Sequence, residues 1–153
     1  MRHLNAGRRL GVESAHRSAI LNNLVTALMQ HGRIRTTEAR AKELRKLADR
    51  VITLAKRVSP DSLNTLQGNE LKLAQARRVH AIRLARRWIT NRDLLTKIFT
   101  EYATRFATRP GGYTRILKLG TRPGDRAKVV LIELVEAYEP KSPEATEAAE
   151  VSS

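Results

Sequence analysis

At 153 residues, 41% apolar, with 29 Lys and Arg against 15 Asp and Glu, the chain is sized for one domain with a modest core and carries a formal charge of +14. The lack of cysteine excludes disulfides, thiolate zinc sites and thiol nucleophiles; no apolar run reaches the ~18 residues that span a bilayer or forms a secretory leader, so a cytoplasmic protein is expected. Glu136 to Ser153 hold five Glu and one Lys, which leaves Met1 to Val135 with 28 basic residues against 10 acidic ones, a body that repels itself unless counterions or a polyanion, nucleic acid being the most economical, lie against it.

The chain opens on MRHLNAGRRLGVESAHR, Met1 to Arg17, which has too few apolar residues to fold alone. Arg2, Arg8, Arg9 and Arg17 supply forked donors, His3 and His16 accompany them, and Gly7 and Gly11 let backbone N–H groups approach an anion closely. Residues 1–13 are therefore read as a basic arm. Ser14 is the expected cap of a first helix, in which Ile20, Leu21, Leu24, Val25 and Leu28 recur at helical spacing until His31-Gly32 ends the run. Arg33 to Thr36 suits a short strand. Thr37 as cap and Glu38 in the first turn open a second helix, with Leu44, Leu47, Ala48, Val51, Ile52 and Ala55 as its buried stripe.

Ser59 to Ser62 break the pattern, and the stretch to Asn69 reads as loop or insertion. A third helix, Glu70 to Trp88, scatters its apolar anchors Leu71, Ala74, Ile82, Ala85 and Ile89 among arginines. Thr90 and Asp93 have capping-box spacing before a helix that carries Leu95, Ile98, Phe99, Tyr102 and Phe106 on one face. Arg109 to Gly112 stop it. Tyr113 to Leu119 and Lys128 to Val135 then predict a β-hairpin, with Pro123-Gly124 suited to a type II turn between them. Glu136 to Ser153 read as an acidic, disordered tail.

Three basic stretches are candidate phosphate contacts: the arm, the His31 to Lys46 block, whose six cations outnumber Glu38 and Glu43, and Arg77 to Arg92, which has six arginines, His80 and no acid. A charged face is ordinarily just solvated and a terminus ordinarily loose. The Arg77 to Arg92 run, however, lacks the alternating pairs that stabilise an exposed helix, which favours phosphate. Pro110 to Arg115 is a weak glycine loop without the Lys-Ser/Thr ending of a Walker motif. The few aromatic residues, Trp88 among them, sit mostly at positions that read as buried. Contact with phosphate and sugar of folded RNA or duplex is therefore expected over base stacking. His3, His16, His31 and His80 have neither metal-ligand spacing nor carboxylates beside them, so no catalysis, metal or cofactor is expected, and a nuclease using His16 or His31 is the weakest reading. A free DNA-binding regulator is the alternative class.

Arg2-His3, Gly7-Arg8, Leu10, His16-Arg17, HGRIRTTEARAKELR from His31 to Arg45, VITLAK from Val51 to Lys56, and RPGGYTRILKLG with its following Arg-Pro-Gly-Asp, Arg109 to Asp125, closely resemble ribosomal protein seventeen of the bacterial large subunit. The resemblance implies an α+β, two-layer domain over residues 14–135, built as helix, strand, three helices and β-hairpin. It implies a small mixed sheet covered by helices, with residues 57–76 as an insertion. It further implies a structural, non-enzymatic role: binding and stabilising folded 23S rRNA near the polypeptide exit tunnel. Neighbouring large-subunit proteins are then the other partners, with no small-molecule substrate, membrane or homo-oligomer. The rRNA contacts it implies are Arg2, His3, Gly7, Arg8, Arg9, His16, Arg17, Arg33, Arg35, Thr36 and Thr37, and Gly111, Gly112, Tyr113 and Arg115 after the last helix. Arg40, Lys42, Arg45, Lys46 and Arg109 complete the candidate RNA-binding set. Leu4-Asn5-Ala6, Asn22 and Arg126 to Val130 depart from the family's pattern.

Overall fold

The computed structural model describes residues 7–60 and 66–135. Arg2, His3, part of the expected insertion and the acidic tail lie outside the described residues.

The first helix, α1 (Ser14–His31), is entered through Glu13, which is extended and whose carbonyl accepts the Arg17 N–H at 2.8 Å. That bond makes Glu13 the cap and Ser14 the first helical residue, one position later than the expected role of Ser14. The exit follows expectation. Gly32 takes a left-handed φ of 75°, and its N–H donates to the Leu28 carbonyl at 2.8 Å. Strand β1 (Arg33–Thr37) runs straight into α2 (Glu38–Lys56), which buries Ala41, Leu44, Ala48, Val51, Ile52 and Ala55; Leu47 is half-buried at the edge of that stripe.

Helix α3 (Gly68–Ala85) begins two residues before the expected start and buries only Ala81 and Ala85. Leu71, Ala74 and Ile82 are half-buried, and Ile89 enters the core after the helix has ended. Helix α4 (Arg92–Lys97) is capped by Asn91 and not by Thr90. The Asn91 carboxamide oxygen accepts the N–H groups of Asp93 and Leu94 at 2.9 and 3.1 Å, meeting two of the helix's unpartnered donors at once. The chain continues through a π-helical stretch (Ile98–Tyr102) into a last turn, α5 (Ala103–Arg105). The Phe99 carbonyl within that stretch accepts from Arg78 of α3 at 3.4 Å.

Strands β2 (Thr114–Thr121) and β3 (Lys128–Leu134) form the expected hairpin, with Gly124 at φ 94° as the second central residue of a type II turn requires. The sheet order is β1-β3-β2, and both ladders are antiparallel, so the sheet is not mixed. The helical excursion returns the chain with β2 parallel to β1 but one strand further out, and β3 then folds back into the gap between them.

Helix α2 packs against all three strands and against α1 and α3. The sheet's inner face contributes Ile34, Ile116, Val130, Ile132 and Leu134 to the core. Each fully buried aliphatic side chain there contributes about 1.5–3 kcal/mol. Tyr102 donates its hydroxyl to the Met29 carbonyl at 2.8 Å, and the Phe106 and Tyr113 rings meet edge to face at 5.3 Å. Strand alternation turns Arg33, Arg35, Arg115 and Leu117 to the opposite, solvent-facing side.

Candidate nucleic-acid interface

Two recesses gather cations from parts of the chain that are far apart in sequence. The first, of about 340 Å³, lies between the arm, α1, α2 and the end of α3, and Arg8, Arg17, Lys46 and Arg87 line it. Arg17, at the start of α1, donates to the Arg8 carbonyl at 3.4 Å, and Arg8 stands 3.9 Å from the Glu43 carboxylate on α2. These contacts lay the end of the arm along the helices. Gly7, at φ 100°, and Arg8 and Arg9 are exposed there, as is His16 on the first turn of α1.

The second recess, of about 290 Å³, lies at the N-terminus of α2 and is lined by Arg35, Thr36, Thr37, Arg40 and Arg122. Thr37 occupies the cap position without a side-chain hydrogen bond to the helix, so its role as a cap is by position alone. Three guanidinium groups with the positive end of a helix dipole form an anion-attracting surface. Arg122 also bonds Asp125 in the hairpin turn, and that hydrogen bond, helped by the Ala127 N–H, holds the exposed Asp125 carboxyl down to about 2.

Between the recesses, α2 presents Arg40, Lys42, Arg45 and Lys46 to solvent. Two of these are tied to acids on their own helix: Lys42 to Glu38 at 2.6 Å and Lys46 to Glu43 at 3.4 Å. The Lys42 hydrogen bond, then its charge, lowers the Glu38 carboxyl below its ordinary range. Arg33 and Arg35 alternate outward on β1, while Thr36 faces inward, opposite Val130. Arg115 is exposed on the same face as Arg33 and donates to Glu133 across the strands, at 2.8 Å from Nε.

The turn before β2 behaves differently from expectation. Tyr113 is 2% exposed: its ring packs on Phe106, its N–H donates to the Asp49 carboxylate at 3.2 Å, and the Lys56 ammonium lies 5.4 Å from its ring centroid. An aromatic side chain buried this way anchors the hairpin to α2 and leaves no surface for RNA. Arg109 is likewise occupied, its Nε donating to the Gly111 and Gly112 carbonyls at 3.1 and 3.2 Å while its own carbonyl accepts from Lys56. Arg109 therefore closes the turn. Of that motif, Gly111, Gly112 and Arg115 remain at or near the surface.

Sequence reasoning missed Arg122 and Trp88 as parts of these recesses, whereas Arg87 falls in the Arg77 to Arg92 run that charge singles out. Its place next to Arg86-Arg87 was the available signal for Trp88. Among the described residues, no three His, Asp or Glu gather closely enough to hold a metal, and no helix is long and apolar enough to cross a membrane.

The model of the family described as ribosomal protein L17 matches residues 20–135, from within α1 to the end of β3. The chain belongs to this family. A protein of Syntrophotalea carbinolica is 48% identical over 136 residues, covering 89% of this chain and 76% of its own. One of Myxococcus xanthus is 47% identical over 139 residues, covering 91% and 86%. A third, of Trichlorobacter lovleyi, is 45% identical over 136 residues, covering 89% and 94%. Each bears the name large ribosomal subunit protein bL17. The family is one of ribosomal structural proteins and not of enzymes.

Proposed function

We propose that this chain is a structural constituent of the large ribosomal subunit in the bacterial cytoplasm, where it binds and stabilises folded 23S rRNA near the polypeptide exit tunnel. One observation carries the RNA-binding part: in a member of this family, cations from the arm, α1, β1, α2, the segment after α3 and the hairpin turn converge on two recesses joined by the exposed face of α2. Their chemistry suits phosphate held in a fixed tertiary arrangement. Residues 1–13 serve as the RNA-binding arm, with Arg2, His3, Arg8 and Arg9 on phosphate. Residues 14–135 form the platform, residues 57–76 are an insertion, and residues 136–153 are an acidic tail. Gly111, Gly112 and Arg115 contribute on the hairpin side, and neighbouring large-subunit proteins supply the remaining contacts.

Sucrose-gradient fractionation of high-salt-washed ribosomes tests this. The protein is expected in the large-subunit fractions, and its absence from them would overturn the assignment.

A further inference from the structure

Trp88 is the chain's one tryptophan, and it does not sit where a lone indole usually goes. It follows α3, packs one side against the core and is half-buried, and it lines the first recess. The guanidinium carbons of Arg50 and Arg87 stand 5.4 and 5.9 Å from its ring centroid, a layer of two cations on one indole. Asn22 of α1 donates to the Arg87 carbonyl at 3.4 Å and so ties this corner to the opposite wall. The acid of the recess, Glu43, is engaged by Arg8 and Lys46.

A recess built for phosphate alone has no use for an indole. An aromatic ring layered with guanidinium groups is the kind of surface on which a nucleobase stacks whatever its sequence, and a paired helix offers no free base face for it. The volume of about 340 Å³ is in the range of small-ligand sites. We propose that this groove seats one unstacked nucleotide of the bound RNA. Its base lies against Trp88 and Arg87, with Arg50 on the indole from outside the groove, and its phosphate is held by Arg8, Arg17 and Lys46. The proposal rests on the RNA-binding reading and adds to it a single-stranded element, a bulge or loop, at a defined place on the protein.

The lone indole is also the reporter. The full chain is titrated with single-stranded oligouridylate, with an abasic oligomer of the same length and with an RNA duplex, while indole fluorescence and the anisotropy of end-labelled RNA are followed together. All three are expected to raise anisotropy, and only oligouridylate to quench the indole. Trp88→Leu is expected to weaken oligouridylate binding about five- to hundredfold and leave the abasic oligomer unchanged. Trp88→Phe is expected to restore most of that affinity, with circular dichroism following the fold of each variant. Anisotropy change without base-dependent quenching in the unaltered chain would overturn the groove proposal alone. No anisotropy change with any of the three would overturn it together with the RNA-binding reading.

Discussion

Helices α2 and α3 are 19 and 18 residues long and both rich in arginine, yet α2 buries six of its residues and α3 two. Leu73 and Val79 of α3 are 54% and 47% exposed, whereas the apolar stripe of α2 is closed over by α1, α3 and the sheet. The charges differ as well. Lys42 and Lys46 of α2 are paired with acids a turn away, while among the described residues the arginines of α3 make no ion pair. Neighbouring helices thus differ in emphasis: α2 organises the core beside its exposed cations, whereas α3 buries little and carries unpaired charge. Stability and RNA affinity should then be separable by position.

The largest effect should fall on the core side. Ile52→Ala should lower the unfolding free energy by about 2–5 kcal/mol, whereas Leu73→Ala should change it by no more than about 0.5 kcal/mol in the same denaturant titration. Comparable destabilisation at the two sites would break the contrast. On the charge side, replacing Arg77, Arg83 and Arg86 together by Gln should leave unfolding unaltered. The slope of log affinity for large-subunit rRNA against log salt should become shallower by about two to three, close to one for each phosphate that is no longer neutralised.

The smallest effect sharpens the comparison within α2 itself. Burial raises the Asp49 carboxyl above its ordinary value of 3.8, against the Tyr113 N–H bond and the Arg45 charge, which lower it. The folded protein therefore holds this proton more tightly than the unfolded chain does. The stability it contributes is full below pH 3.8 and is lost as the pH rises through the folded value. Asp49→Asn keeps an acceptor for Tyr113, so it should be at least as stable as the parent near neutrality and lose this pH dependence, measured by thermal unfolding across pH 3 to 7. A variant less stable at neutral pH would show that the charge itself is needed.

The same contrast explains what was legible in the sequence. The stripe of α2 is readable because core contact runs its whole length, so apolar residues repeat with the helical period. That of α3 is not, because only Ala81 and Ala85 are buried, with Ile82 packed at the core's edge, and alanine barely marks a face. The cap shift from Thr90 to Asn91 turns on which side chain reaches two amides, a matter of one residue's geometry. The ladder pattern depends on β3 returning between β1 and β2, which no local signal encodes. In the candidate interface, charge alone points to the exposed basic residues. Charge cannot separate Arg109, turned onto its own turn, from Arg115, and the motif around Tyr113 conceals a core ring. Trp88 reads as buried because an indole usually is, and its half-exposure comes from the groove that the arm and α1 complete.

The central claim is that the arm and the basic surface hold rRNA through phosphate. It is tested most directly by the salt dependence of large-subunit rRNA binding, with and without Met1 to Arg9. Among the described residues of that segment, Gly7, Arg8 and Arg9 are exposed, so its removal should leave helical content unchanged by circular dichroism. The segment carries Arg2, Arg8 and Arg9, and its removal should flatten the slope of log affinity against log salt by about two to three. An unaltered slope would contradict the account, because it would mean that the arm touches no phosphate.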